Sequence, residues 1–177
     1  TEAEWLEEVA AVAPSCAVVS GGATRQESVF KGVSAIPILC DAVLVHDGAR
    51  PLITADDVRR GMEPVRTGHA SLLALPVVDT IKMIDRTTNL VAHTLDRDVL
   101  WAAQTPQFAT CDDMRIAHEA GIRDGIDATD DAMLLERIGV HVHLVPGSPE
   151  NFKVTLPEDR DRAEHVMLAR LSRGKAS

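Results

Sequence analysis

The sequence predicts an α/β domain of three layers, built on a mostly parallel sheet and carrying a projecting β-hairpin. Three observations predict it. Short apolar runs (Ala42 to Val45, Ser71 to Leu75, His141 to Val145) stop abruptly at Gly, Pro or polar residues, as strands buried on both faces do. Amphipathic segments of helical period lie between them. Two β-rich runs, Asp79 to Ile84 and Leu90 to Thr94, flank the polar turn Asp85-Arg86-Thr87-Thr88-Asn89, which reads as a hairpin interrupting the alternation.

In chain order, Trp5, Leu6 and Val9 among four glutamates make Thr1 to Val12 an amphipathic helix, ended by Pro14. Cys16 to Val19 is read as a short strand leading into Gly21-Gly22. A helix begins near Ser28, its candidate cap, and ends before Pro37. After the strand Ala42 to Val45 comes Asp47-Gly48-Ala49-Arg50-Pro51. Thr54 caps a helix that runs to Val65 and ends before Gly68. Beyond the hairpin, Val99 to Ala103 leads into Gln104-Thr105-Pro106-Gln107-Phe108. A helix from Asp112 to Glu119 ends at Gly121. Thr129 is the expected cap of a helix with Asp130 and Asp131 in its first turn, closed by Gly139. After the strand His141 to Val145, Asn151 to Thr155 reads as a short strand, and a last helix starts at Pro157 and runs to about Leu171. No repeat or linker divides the chain, so residues 1–177 are expected to form a single domain.

The bulk numbers exclude several classes. Of 177 residues 45% are hydrophobic and 25% charged, which suits one globular core. A formal net charge of -9 argues against a general nucleic-acid or membrane-surface binder. No apolar run reaches the roughly 18 residues of a membrane span, and no signal peptide opens the sequence, so a cytoplasmic location is expected. Cys16, Cys40 and Cys111 are widely spaced with no CxxC pair, which indicates neither a disulfide framework nor a zinc site. An aromatic content of 3% weakens any scheme that stacks single-stranded bases.

An Asp at a strand end followed by Gly favours ligand chemistry, because open α/β sheets bind in the crevice beyond the carboxyl ends of their strands. The plainer alternative is a strand-to-loop corner with a solvated Asp47–Arg50 pair. Gly21-Gly22 forms a loop whose backbone N–H groups could face a ligand, although no GxGxxG or GxxxxGK[ST] pattern is present. Asp130-Asp131 could bind a metal or act as a base, but charges favoured by the helix dipole are the ordinary reading. Arg25, Lys82, Arg97 and Lys153 join Asp47 and Arg50 near strand ends and loops. That concentration points to phosphate groups, to which Arg offers paired hydrogen bonds and Lys a point charge.

Five separated segments together resemble the 2-C-methyl-D-erythritol 4-phosphate cytidylyltransferase family. They are Gly21-Gly22 through Arg25 and Ser28-Val29; Val45 through Pro51; Asp79-Thr80-Ile81-Lys82; Gln104 through Phe108; and Thr129-Asp130-Asp131-Ala132 followed by Asn151-Phe152-Lys153-Val154-Thr155. The resemblance implies a Rossmann-like nucleotidyltransferase fold and transfer of CMP from CTP to the polyol phosphate, with Mg2+ bridging phosphate oxygens. It implies that Gly21, Gly22, Arg25, Ser28, Asp47 and Gly48 bind the nucleotide, with Asp47 and Gly48 beside the ribose and the attacking substrate. Thr105, Thr129 and Lys153 would line the polyol phosphate pocket. Thr80 and Arg97 would come from the arm, residues 79–97, of a partner subunit in a homodimer. Lys153, Arg97 and Asp47 are then the catalytic candidates, and metal ligands stay unassigned.

Two positions depart from the family pattern. Gly48 stands where Ala is common, and Ala23 where some relatives carry a polar residue. The family's opening strand and Gly-rich loop ending in Pro-Lys have no counterpart in this sequence, so it reads as a fragment that is inactive by itself. Two rivals stay open: a cytidylyltransferase for another polyol phosphate such as ribitol 5-phosphate, and a non-catalytic nucleotide-binding domain.

Overall fold

The structure is a computed structural model that describes residues 5–174. Its main sheet has four strands, β1 (Ala42–Val45), β2 (Ala70–Pro76), β5 (Trp101–Thr110) and β6 (Val142–Pro146), in the order β1-β5-β2-β6. Strands β3 (Lys82–Ile84) and β4 (Val91–Thr94) form a separate two-stranded sheet. The helices are α1 (Leu6–Val12), α2 (Arg25–Ser34), α3 (Ala55–Val65), α4 (Cys111–Arg123), α5 (Asp131–Arg137) and α6 (Pro157–Gly174).

The α/β class is as expected, but the sheet is mixed. Strands β2 and β6 pair in parallel, whereas β5 pairs antiparallel with both β1 and β2. Three strands therefore share one direction, and β5, inserted between two of them, makes most pairings antiparallel. Alternation of side chains across the sheet sets up two apolar layers. Ala70 and Ala109, with Val43 and Val45 partly buried, pack under Val33 of α2, Met114 and Ala117 of α4, and Leu134 and Leu135 of α5. On the opposite face Leu73, Phe108 and Val145 meet Val65, Val58 and Met62 of α3. Over the central strand β2 both faces are covered, so it reads as a continuous apolar run, whereas Leu44 of β1 and Leu144 of β6, on the edge strands, stay exposed.

Close approach of α3 to the sheet depends on Gly61. A Cβ there would collide with the Phe108 ring, and the Gly61 carbonyl accepts a 2.5 Å hydrogen bond from Ser71 Oγ in β2.

Strand β5 carries the largest departure from local expectation. Pro106, between two glutamines, argues against a central strand. The register supplies the reason it is tolerated: Leu72 faces Gln107 and Ala74 faces Ala103, so Gln104, Thr105 and Pro106 bulge opposite Leu73. The Thr105–Pro106 peptide is cis.

Other expectations are corrected. Residues 17–20 carry no strand assignment and belong to neither of the two sheets. Asn151 to Thr155 is likewise not a strand; its Val154 N–H donates to the Ala49 carbonyl at 2.7 Å, one backbone hydrogen bond to the loop after β1 in place of a ladder. The cap of α2 is Thr24, whose side chain accepts from Glu27 N–H; Ser28 lies inside the helix and donates to the Thr24 carbonyl. Asp130, not Thr129, caps α5 by accepting from Met133 N–H. Helix α4 runs through Gly121, where a Cβ would sit 2.6 Å from Leu134 Cδ2, and the turn to positive φ comes at Gly125 (φ 64°). The Thr54 cap is as expected and forms a full capping box with Asp57. Residues 1–4, part of the expected first helix, lie outside the described residues. In its described part Trp5 and Val9 are exposed and no residue is fully buried.

Candidate active site

Strand β1 ends at Val45, paired with Gln107, so the bulge of β5 lies just past the carboxyl end of β1. The loops after β1 and β6 and the amino ends of α2 and α5 reach the same place. They enclose a cavity of about 260 Å³ lined by Arg25, Asp47, Arg50, Gln104, Thr105, Gln107, Thr129, Asp130 and Lys153, with Ala103. In a chain of net charge -9, three cations against two carboxylates make this cleft locally basic.

Asp47 is its electrostatic centre. Lys153 Nζ lies 2.8 Å from Oδ2, Arg25 Nε 3.5 Å from Oδ1, and Arg50 Nε 3.8 Å from Oδ2. Burial alone would raise the Asp47 carboxyl, but the ion pairs with Lys153 and then Arg25 together outweigh it and hold the group below the usual carboxylate range. Asp47 is thus an anion at neutral pH. Burial is also the main influence on Arg50, whose pKa is lowered against the opposing pull of Asp47.

The backbone around Asp47 is fixed by a chain of polar contacts. Asp47 N–H donates to Thr105 Oγ1 at 3.0 Å, and Thr105 Oγ1 lies 3.1 Å from His46 Nδ1. His46 Nε2 meets the Arg50 carbonyl at 2.8 Å. A carbonyl can only accept, so Nε2 carries the proton, and Nδ1 is left to accept from the threonine. The bulge in β5 is what turns Thr105 towards β1.

A second set of contacts carries Lys153 in. Asn151, fully buried, donates through Nδ2 to the Thr105 carbonyl at 2.8 Å, and its own carbonyl accepts from Arg50 Nη1 at 2.7 Å. Gln104 Nε2 donates to the Ser148 carbonyl at 3.1 Å. The loop after β6 is therefore anchored to the bulge on one side and to Arg50 on the other, two positions before Lys153.

The third set holds α5. Gln107 Oε1 accepts from Ala132 N–H at 2.8 Å, while its Nε2 donates to Asp130 Oδ2 at 2.9 Å. Asp131, next in sequence, is fully buried. Arg25 grips it with Nη1 at 3.3 Å and Nη2 at 2.8 Å, and His118 Nε2 lies 3.1 Å from Oδ1. Burial would raise this carboxyl, but the His118 hydrogen bond and the Arg25 pair prevail and lower it. The other ring nitrogen of His118, Nδ1, is buried and without a hydrogen-bond partner, an arrangement that costs about 1–3 kcal/mol.

Of the residues singled out in the sequence, Arg25, Asp47, Thr105, Thr129 and Lys153 line one cleft, and Gly48 adjoins it. A Cβ on Gly48 would meet nothing within 4 Å, so the backbone there is open to a ligand. Gly21, Gly22 and Ser28 stand at the start of α2 outside that lining. Gly22 N–H donates to Ser28 Oγ at 2.9 Å and Ala23 N–H to Glu27 Oε2 at 2.7 Å, so those backbone donors serve the helix in this structure. Thr80 and Arg97 are not in the cleft of their own chain; Arg97 Nη1 donates to the Val78 carbonyl at 2.9 Å beside the hairpin. Gln104, Gln107, Asn151 and His118 were not assigned roles from the sequence, and Asp130 and Asp131 were read there as helix-dipole charges or as a metal or base candidate, not as a cap and a buried partner of Arg25. The paired glutamines around Pro106 were the available signal, since amides in an otherwise buried strand need partners.

A sheet bearing helices on both faces, with cations gathered around an ionised Asp at the strand ends, defines a nucleotidyltransferase-like α/β protein. Solved structures share this architecture. A 2-C-methyl-D-erythritol 4-phosphate cytidylyltransferase from Thermus thermophilus superposes with a TM-score of 0.74 at 37% identity, over 86% of this chain and 72% of that one. A 4-diphosphocytidyl-2C-methyl-D-erythritol synthase from Anaerococcus prevotii superposes with a TM-score of 0.85 at 26% identity, over 94% and 78%. The 2-C-methyl-D-erythritol 4-phosphate cytidylyltransferase of Thermosynechococcus vestitus is 45% identical over 153 residues, 86% of this chain and 65% of the relative. Residues 2–169 match the profile of the IspD family, 2-C-methyl-D-erythritol 4-phosphate cytidylyltransferase, and the chain belongs to that family. It spans about 65% of the length of that relative.

Proposed function

We propose that the full-length protein transfers CMP from CTP to 2-C-methyl-D-erythritol 4-phosphate in isoprenoid biosynthesis. The observation that carries this reading is the meeting of Arg25, Arg50 and Lys153 on Asp47 within one cleft, at positions matching the family's motifs. A phosphate oxygen of the polyol phosphate attacks the α-phosphorus of CTP, the bond from that phosphorus to the bridging oxygen of the β-phosphate breaks, and pyrophosphate leaves. The nucleophile is already ionised at neutral pH, so no general base is needed. The protein's task is to position and neutralise like charges. Lys153, half-exposed at the cleft wall, exchanges Asp47 for the substrate phosphate. Arg50, tied to Asn151, holds the Asp47 loop in place, and Asp47 accepts from a nucleotide hydroxyl.

The donor set suits Mg2+ carried mainly by phosphate oxygens. Among the described residues no group of three or more His, Cys, Asp or Glu side chains could hold a metal. Mg2+ commonly takes only one or two protein carboxylates alongside substrate phosphates. Of the two cleft carboxylates Asp130 already accepts from Gln107 and from Met133 N–H, so Asp47 is the one that would contact the cation, which would offset charge on the phosphate oxygens.

The proposal extends to a homodimer. The β3–β4 hairpin forms a sheet of its own, with Met83, Ile84, Leu90 and Val91 exposed, and such apolar edges favour pairing with a second copy. Thr80 and Arg97 would then enter the partner's cleft. A cytoplasmic location suits the exposed free thiols of Cys16 and Cys40.

The test is a transfer assay with the full-length gene product, CTP and Mg2+. Release of pyrophosphate with 2-C-methyl-D-erythritol 4-phosphate, in excess over that with ribitol 5-phosphate, supports the reading; preference for ribitol 5-phosphate favours the rival substrate, and no transfer to either favours a binding domain.

A further inference from the structure

His118 stands outside the cleft, yet its polar partner Asp131 holds Arg25, which lines it. The residue is on α4, fully buried, with its ring stacked at 6.5 Å between centroids on Phe30 of α2. Its Nε2 reaches Asp131 Oδ1 on α5, and both Asp131 oxygens face the guanidinium of Arg25 at the first position of α2. Three helices thus meet through one buried carboxylate. Arg25 uses both terminal nitrogens on Asp131, which leaves its Nε directed to Asp47. With two χ angles, an Asp side chain can turn its carboxylate plane; a hydrogen bond from behind, given by a ring that packing holds still, removes that freedom.

We propose that His118 is a positioning residue for the cleft: it locks Asp131 in the orientation that presents Arg25 to the nucleotide. It touches neither substrate nor reacting atoms and acts only through Asp131 and Arg25. This rests on the proposed cytidylyl transfer. The amide nitrogen of Gln can stand where His Nε2 stands, whereas Phe fills the space and keeps the stack on Phe30 without a donor.

The experiment compares wild type, His118→Gln, His118→Phe and, should the Phe ring disturb the core, His118→Met, all in the full-length gene product. Steady-state kinetics are measured with each substrate varied, in an Arg25 and an Arg25→Ala background. The expected result is a rise in KM for CTP of about tenfold in His118→Phe or His118→Met, equivalent to about 1.4 kcal/mol. KM for the polyol phosphate stays near the wild-type value and His118→Gln recovers most of the loss. In the Arg25→Ala background the His118 substitutions then have no further effect, because the residue they position is gone. An effect that persists undiminished in that background, equal changes in both KM values, or unchanged kinetics in the folded Phe and Met variants would overturn the proposal.

A second readout does not need the reaction. In 15N–1H spectra the Arg25 Nε–H, identified by its loss in Arg25→Lys, should be slow to exchange in wild type and His118→Gln and broadened or lost in His118→Phe. Wild type without transfer activity but with this pattern would sink the function and leave the positioning role standing. Transfer activity with an Arg25 signal indifferent to His118 would do the reverse.

Discussion

Lys153 Nζ lies 2.8 Å from Asp47 Oδ2, although the two residues stand on different loops, one after β1 and one after β6. The lysine is half-exposed and the aspartate mostly buried, so the pair forms at the cleft wall, where an arriving phosphate can compete for the ammonium. A surface-like pair of this kind contributes about 0–1 kcal/mol to folding. Lys153→Ala should therefore leave thermal unfolding nearly unchanged while lowering turnover by roughly 10²-fold or more, since one lost donor to transition-state charge costs about 2.7–4 kcal/mol. Near-wild-type turnover would show that the lysine takes no part in the transfer.

Arg97 leads to a mixing experiment. It is bonded to the Val78 carbonyl at the base of the hairpin and is absent from its own chain's cleft. If it serves the partner's cleft, Arg97→Ala and Lys153→Ala proteins, each nearly inactive, should regain activity when their subunits are exchanged. One site in each mixed dimer would then hold both groups. No recovery after exchange verified by mass spectrometry, or a monomer in solution, would count against service in trans.

Asp131 should make stability depend on acid. Its carboxyl, faced by Arg25 from α2 and His118 from α4, is held below the ordinary value near 3.8 despite burial. A carboxyl lowered in the folded state stabilises fully above its unfolded pKa, and that stabilisation is lost as pH falls through the folded value. Asp131→Asn should thus be destabilised by about 2 kcal/mol or more near neutrality, where hydrogen bonds to the charged form are lost. The gap from wild type should narrow below about pH 4. Urea unfolding at a series of pH values reads this, and a constant gap would contradict it.

Gly61→Ala tests the packing of α3 on the sheet. The added methyl would run into the fully buried Phe108 ring, and Phe108 cannot move away from the close-packed layer around Leu73. Overpacking of this kind costs about 1–3 kcal/mol, visible as a lowered urea midpoint. Gly48→Ala, with open space around its Cβ, should leave that midpoint near the wild-type value.

Much was legible in the residues themselves. Strands β1, β2 and β6 could be read to within a residue or two because each is a short apolar run bounded by Gly, Pro or polar residues; β2 is buried on both faces, while β1 and β6, at the sheet's edges, are partly exposed. The Thr54 cap, the hairpin and Asp47 at a strand end are short-range patterns of the same kind. So were Arg25, Thr105, Thr129 and Lys153, found through the ordered set of motifs that they belong to. Other features depend on partners distant in sequence. Pro106 argues locally against a central strand, and only the register of β5 against β2 converts it into a bulge that delivers Gln104 and Thr105 to the cleft. Cys16 to Val19 has the composition of a strand but joins neither sheet. Asp130 and Asp131 look alike as first-turn carboxylates; one caps its helix and the other is buried between Arg25 and His118, residues 106 and 13 positions away. Local sequence determined where most helices, strands and turns would lie, because propensity and periodicity act over a few residues. The tertiary structure decided which polar side chains face one another, because pairing a buried charge depends on what the fold brings within about 3 Å of it.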